Sequence, residues 1–178
     1  LTGDKNIILT GFMGTGKTTI GKEIARLLDR TFLDTDGIIE EEQKRTVSDI
    51  FQKEGESYFR NLERQVIDDI CNRSRTVIAT GGGTLLDENN LTLLSKTGII
   101  FCLTTSIDVL VSRLENSMVR PLAVNKEMTD IEKLYEIRKD YYDKLPYHFD
   151  TSDISPENAA CKIIELFNEI TSRTGIAK

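Results

Sequence analysis

Tryptophan is absent from this 178-residue sequence, and proline, cysteine and histidine are scarce, at three, three and one. Cys71, Cys102 and Cys161 stand far apart with no CxxC, and His148 is alone, so neither a disulfide framework nor a zinc site finds its ligands. A reducing compartment, the cytoplasm, is the expectation. No apolar run approaches the roughly eighteen residues of a membrane span, and the N-terminus lacks the basic-then-apolar layout of a signal peptide. Leu1 is no initiator, as expected of a fragment. Tracts of Gly, Ser, Pro or Gln are missing, which sets aside disordered and collagen-like readings. Positive charge is in deficit: 23 Lys and Arg against 29 Asp and Glu leave a net charge of −6, the wrong sign for gripping a nucleic-acid backbone. What remains is a soluble globular chain, 39% hydrophobic, with room for one domain over 1–178 and a sizeable core.

Short apolar runs alternate with longer amphipathic stretches, the pattern of strands crossing over through helices into a parallel sheet. Strands are expected at 6–10, 31–34, 76–80 and 98–103, the last a central one because both its faces are apolar. Helices are expected at 18–28, from about 37 to 73 with Gly55 dividing them, at 91–96 and at 107–114. Residues 115–126 show no periodicity and contain a proline, as a loop or lid does. Thr129 and Glu132 have the spacing of a capping box opening a helix to about Leu145, and Ser155-Pro156 reads as a cap and first-turn proline for a last helix through Ile170. The ends, 1–5 and 172–178, are expected to fray.

Gly11-Phe12-Met13-Gly14-Thr15-Gly16-Lys17-Thr18 fits GxxxxGK[ST], and it lies between an apolar strand and a helix, the context this motif requires. Main-chain N–H groups wrap phosphate oxygens closely there, in conformations that a Cβ obstructs, and the helix N-terminus adds partial positive charge. Lys17 can reach the β- and γ-phosphates, and the Thr18 hydroxyl is placed for Mg²⁺. A tight strand-to-helix turn with no ligand would not need Lys-Thr at the helix start.

The acceptor must be read elsewhere. Asp34-Thr35-Asp36 follows the second strand, at the end where a parallel sheet places its ligands. One carboxylate can serve the metal and the other a substrate hydroxyl; equally, both suit a turn and a helix cap. Gly81-Gly82-Gly83 after the third strand would let a ligand or a backbone approach closely, or would simply make an unstrained loop.

Taken in order, GFMGTGKTT, DTD, IFQKEGESYFRNLE, ATGGGT, RPL and YEIRKDYYDK resemble the shikimate kinase family over nearly the whole chain, about 6–170. The resemblance implies a three-layer α/β/α P-loop fold of the nucleoside-monophosphate-kinase type, with a central, mostly five-stranded parallel sheet and a mobile lid at about 115–126. It implies ATP-dependent phosphorylation of the 3-hydroxyl of shikimate, with Mg²⁺ as cofactor. It also implies that Gly14, Thr15, Gly16, Lys17, Thr18 and Thr19 cradle the ATP phosphates, with Thr18 and Asp34 toward the metal and Asp36 against the shikimate hydroxyls. Arg60 and Arg138 match the arginines that hold the substrate carboxylate, for which a guanidinium fork is suited. Gly82 and Gly83 match glycines lying against the substrate ring, and Arg120 matches a lid arginine over the transferring phosphate. Arg113 and the segment at Ser155 match the adenine side. Read without the family, Arg60 and Arg138 are helix arginines among acidic neighbours, and Tyr141, Tyr142 and Tyr147 read as packing residues. The segment LPYHFDTSDISPEN departs from the family pattern, as does the glycine-poor ENSMVRPL. No membrane or nucleic-acid partner is implied, and a monomer is expected. The competing readings are a related small-molecule kinase, for gluconate or a nucleoside monophosphate, and a nucleotide-dependent switch, for which no NKxD-type guanine-reading motif is present.

Overall fold

Alternation along the first strand, β1 (Asn6–Gly11), divides the molecule into layers. In the computed structural model, which describes residues 4–115 and 128–175, Ile7 and Leu9 enter one core and Ile8 the other. β1 pairs on one side with β3 (Thr76–Ala79) and on the other with β4 (Gly98–Thr104), while β2 (Thr31–Asp34) and β5 (His148–Asp150) form the edges. The order is β2-β3-β1-β4-β5 and every pairing is parallel. On one face lie α1 (Lys17–Leu28) and α8 (Pro156–Gly175), which bury Ile20, Ile24, Ala159, Ala160, Ile163 and Phe167 against Leu9, Val77 and Phe101. On the other lie α2 (Thr35–Gln43), α3 (Val47–Glu54), α4 (Glu56–Ile70), α5 (Glu88–Thr97), α6 (Ile107–Glu115) and α7 (Met128–Tyr142), whose core includes Ile39, Ile50, Phe59, Leu94, Leu110 and Ile131. The three-layer α/β/α expectation holds. Because the strands are parallel, β1, β2 and β3 end on one edge of the sheet, and there they deliver the phosphate loop, the DTD triplet and the three glycines together. Among the described residues no helix is long and apolar enough to cross a membrane.

Four local features differ from expectation. The helical region 37–73 has a second break, where Lys44 takes a left-handed φ of 53° and the Thr46 hydroxyl caps α3 by accepting from Asp49 N–H. The helix expected from a Thr129 cap begins instead at Met128 and ends at Tyr142 rather than Leu145. There the N–H groups of Lys144 and Leu145 bond only three residues back, and Pro146 bars a further helical turn. α8 begins as expected, with Ser155 Oγ accepting from Asn158 N–H, and runs on to Gly175, past the expected end at Ile170. The fifth strand is three residues long, too short to carry a period in sequence. The lid expected at 115–126 and its Arg120 lie, beyond Glu115, outside the described residues.

Candidate active site

The phosphate loop is shaped by main chain. Gly16 precedes α1 with φ of 92°, a conformation that side-chain-bearing residues rarely adopt, and so presents the N-terminus of α1 to the loop. The Thr15 hydroxyl donates to Phe12 O at 2.8 Å, and Lys17 Nζ donates to Gly11 O and Phe12 O, both at 2.8 Å. A cavity of about 360 Å³ runs along this loop, lined by Gly14 to Ile20 and closed by Arg113, Leu114, Thr151, Ile154 and Pro156. Arg113 donates from Nη1 to Gly14 O (3.3 Å) and Thr151 Oγ1 (3.1 Å), and from Nη2 to Thr151 O (2.6 Å). Thr151 Oγ1 also contacts Thr15 O at 3.1 Å and Thr104 O at 3.0 Å, so one buried hydroxyl ties β4, the phosphate loop and Arg113 together. Ser155 spends its hydroxyl on the cap of α8, and its neighbours Ile154 and Pro156 form the cavity wall.

Asp34 uses its two oxygens differently. Its Oδ1 caps α2 by accepting from Gly37 N–H at 3.4 Å, while its Oδ2 accepts from the Thr18 hydroxyl at 2.8 Å. The other carboxylate of the triplet, Asp36, sits in the first turn of α2. Thr35, between them, is fully buried and accepts from Gly81 N–H at 2.9 Å, which locks DTD to the three glycines.

Each glycine faces a different charged side chain. A Cβ at Gly81 would stand 2.6 Å from Asp36 Oδ1, one at Gly82 3.2 Å from Arg138 Nη1, and one at Gly83 2.7 Å from both terminal nitrogens of Arg60. Larger residues would therefore enter only by pushing these groups aside. Arg60 bonds Glu63 Oε2 through Nη1 at 2.5 Å and Glu56 Oε1 through Nη2 at 2.9 Å. Burial works against its charge, yet Glu63 and Glu56 together hold its pKa above the ordinary value. Glu63 is 1% exposed and also accepts from the Thr84 hydroxyl at 2.6 Å. Arg138 lies 5.8 Å from the Phe12 ring centroid and shares the Gly82 position with Tyr142, whose hydroxyl donates to Gly82 O at 2.5 Å.

A cleft of about 600 Å³ joins the two halves: Lys17 and Thr18 line it together with Asp34, Asp36, Thr80 and Gly82. The structure thus brings Gly14 to Thr19, Asp34, Asp36, Arg60, Gly82, Gly83, Arg113 and Arg138 to one edge of the sheet. Sequence reasoning missed four supporting residues. Thr35 stands inside a motif it did quote, Glu63 three residues after Arg60, Tyr142 four after Arg138, and Thr151 in the divergent segment. The i+3 and i+4 spacings were the available signal for Glu63 and Tyr142. Burial of Cys102 raises its thiol pKa to about 12, against the pull of Lys17, in keeping with a small apolar role.

A sequence profile for shikimate kinase matches residues 13–168. The chain belongs to the shikimate kinase family. The shikimate kinase of Thermodesulfovibrio yellowstonii is 42% identical over 169 residues, 94% of this chain and 98% of that protein. Among solved structures, a shikimate kinase from Acinetobacter baumannii in complex with shikimate is 36% identical with a TM-score of 0.86, covering 93% of this chain and 94% of that one. A gluconokinase from Sinorhizobium meliloti, at 12% identity and a TM-score of 0.65 over 98% of this chain and 97% of its own, shares the fold alone. Kinship with the family thus spans both halves of the cleft.

Proposed function

We propose that this chain transfers the γ-phosphoryl group of ATP to the 3-hydroxyl of shikimate, giving shikimate 3-phosphate and ADP, in aromatic amino acid biosynthesis. The observation that carries the reading is the single cleft lined by Lys17 and Thr18 at one end and Asp36 and Gly82 at the other. Gly14 to Thr19 hold the triphosphate, and Lys17 offsets its charge. Arg113, its edge donors taken by Gly14 and Thr151, keeps a flat face for the adenine ring, with Ile154 and Pro156 as the opposite wall. Thr18 Oγ1 and Asp34 Oδ2 are hard oxygen donors that fit Mg²⁺, an ion that needs few protein ligands beside phosphate oxygens and water. When bound, the ion neutralises phosphate charge.

Asp36 orients the attacking hydroxyl and accepts its proton late, since phosphoryl transfer passes through a loose transition state in which positioning outweighs deprotonation. Arg60 and Arg138 fix the substrate carboxylate, and Gly82 and Gly83 let the ring approach the loop. Arg120 in the lid adds charge over the transferring group, and closure of 115–126 excludes water. The protein works as one cytoplasmic kinase domain, a monomer. A coupled assay of ADP release with MgATP, comparing shikimate, gluconate, quinate, AMP and no acceptor, tests this: turnover with shikimate alone is expected. Turnover with gluconate instead would overturn the acceptor assignment, and acceptor-independent hydrolysis would favour a nucleotide switch.

A further inference from the structure

A phenol has one proton to give, and around Tyr142 its direction is settled by its neighbours. The Gly82 carbonyl can only accept, so the Tyr142 hydroxyl donates to it, and the Arg138 guanidinium converges on the same glycine: a Cβ there would stand 3.2 Å from Arg138 Nη1 and 3.6 Å from the Tyr142 hydroxyl. Tyr142 is buried, and burial raises its phenol pKa to about 12 against the pull of Arg138, so the hydroxyl stays a donor at every working pH. Its own carbonyl accepts from His148 Nε2 at 2.9 Å, which fixes the end of α7 to the start of β5. Tyr142 belongs to the apolar core and also lines, with Leu85, Leu86, Leu91 and Leu145, a hollow of about 150 Å³, so its ring has room to shift when the hydroxyl bond is lost.

The geometry points to Tyr142 as a positioning residue for the acceptor: by bonding Gly82 O beside Arg138, it sets the carboxylate-binding guanidinium in register with the glycine loop. That loop in turn abuts Asp36 at Gly81 and Arg60 at Gly83, so a shift at Gly82 reaches each of the groups assigned to the acceptor. The nucleotide cavity shares no lining residue with the hollow.

This inference rests on the acceptor site proposed above, and the wild-type assay separates the two: failure of the wild-type chain to turn over shikimate overturns that site, whereas the variants bear only on Tyr142. Tyr142→Phe keeps the ring and removes the hydroxyl bond. It is expected to raise KM for shikimate about tenfold, while kcat and KM for ATP stay within about twofold of wild type. In an Arg138→Ala background the same change is expected to add less than about twofold, because the two residues act as a unit. Unchanged KM for shikimate, a parallel rise in KM for ATP, or full additivity with Arg138→Ala would each overturn the inference.

Discussion

The two ends of the cleft are held by different means. At the nucleotide end the ligand-facing groups are mostly main chain, fixed by the turn from β1 into α1, and a side-chain change there meets a site whose donors persist. At the acceptor end the groups are side chains, Asp36, Arg60 and Arg138, each facing one glycine of the loop, with Arg60 braced by Glu63. The first follows from a local motif; the second draws on three separate elements of the fold.

The hardest blow to the acceptor end should come at Asp36. Asp36→Asn keeps the size of the side chain and removes its negative charge and proton affinity. We expect kcat to fall by about a hundredfold or more, with KM for ATP little changed. Steady-state kinetics with each substrate varied separates the two effects, and wild-type kcat/KM for shikimate would remove Asp36 from the mechanism. A fall confined to KM would leave Asp36 an orienting group with no share in proton transfer.

A smaller effect is expected one step back from the substrate, at Glu63. This carboxylate touches Arg60 and Thr84 inside the protein, and neither Arg60 nor Thr84 has another buried acidic partner among the bonds described. Glu63→Gln leaves a buried amide where an anion matched the guanidinium, which costs about 2 kcal/mol of stability. We expect KM for shikimate to rise about tenfold as Arg60 loses its fixed pose, again without a matching rise for ATP. Denaturant unfolding beside kinetics checks both halves. Equal losses for the two substrates would mean that the ends of the cleft are not separately built.

Those braces explain which parts of the molecule were legible from sequence. The sheet announced itself through continuous apolar runs such as Ile99 to Leu103, and the phosphate loop through a motif whose spacing is local. Asp36, Arg60, Gly82 and Arg138 could be matched because each sits in its own short motif. Their supports could not be read in the same way. Glu63 and Tyr142 look like a solvated pair partner and a packing ring along their own helices, and only the fold buries one against Thr84 and brings the other against Gly82. β5 escaped notice for a different reason: three residues at a sheet edge, His148–Asp150, contain neither alternation nor an apolar run. The two-way use of Asp34 shows that a helix cap and a bond to the phosphate-loop threonine need not be rival readings, because a carboxylate has two oxygens and here spends them differently.

The nucleotide end also contains a side chain that braces others, and it gives the mildest and most discriminating test. Thr151 is a lone hydroxyl that meets Thr15 O, Thr104 O and Arg113 at once, so it links the phosphate loop to the wall assigned to the base. Thr151→Val preserves the branched shape and burial while removing every bond to Oγ1. The phosphate loop keeps its own backbone bonds, and Arg113 keeps Thr151 O and Gly14 O, so the loss should be partial. We expect KM for ATP to rise about fivefold, as for one net hydrogen bond lost from a buried network, with KM for shikimate unaltered and Thr151→Ser restoring wild-type behaviour. Failure of serine to restore it would shift the role to the methyl group. A rise in the shikimate KM would show that β4 and β5 pass strain across the sheet to the glycine loop, and the separation between the two ends would then hold only for the residues that face the cleft.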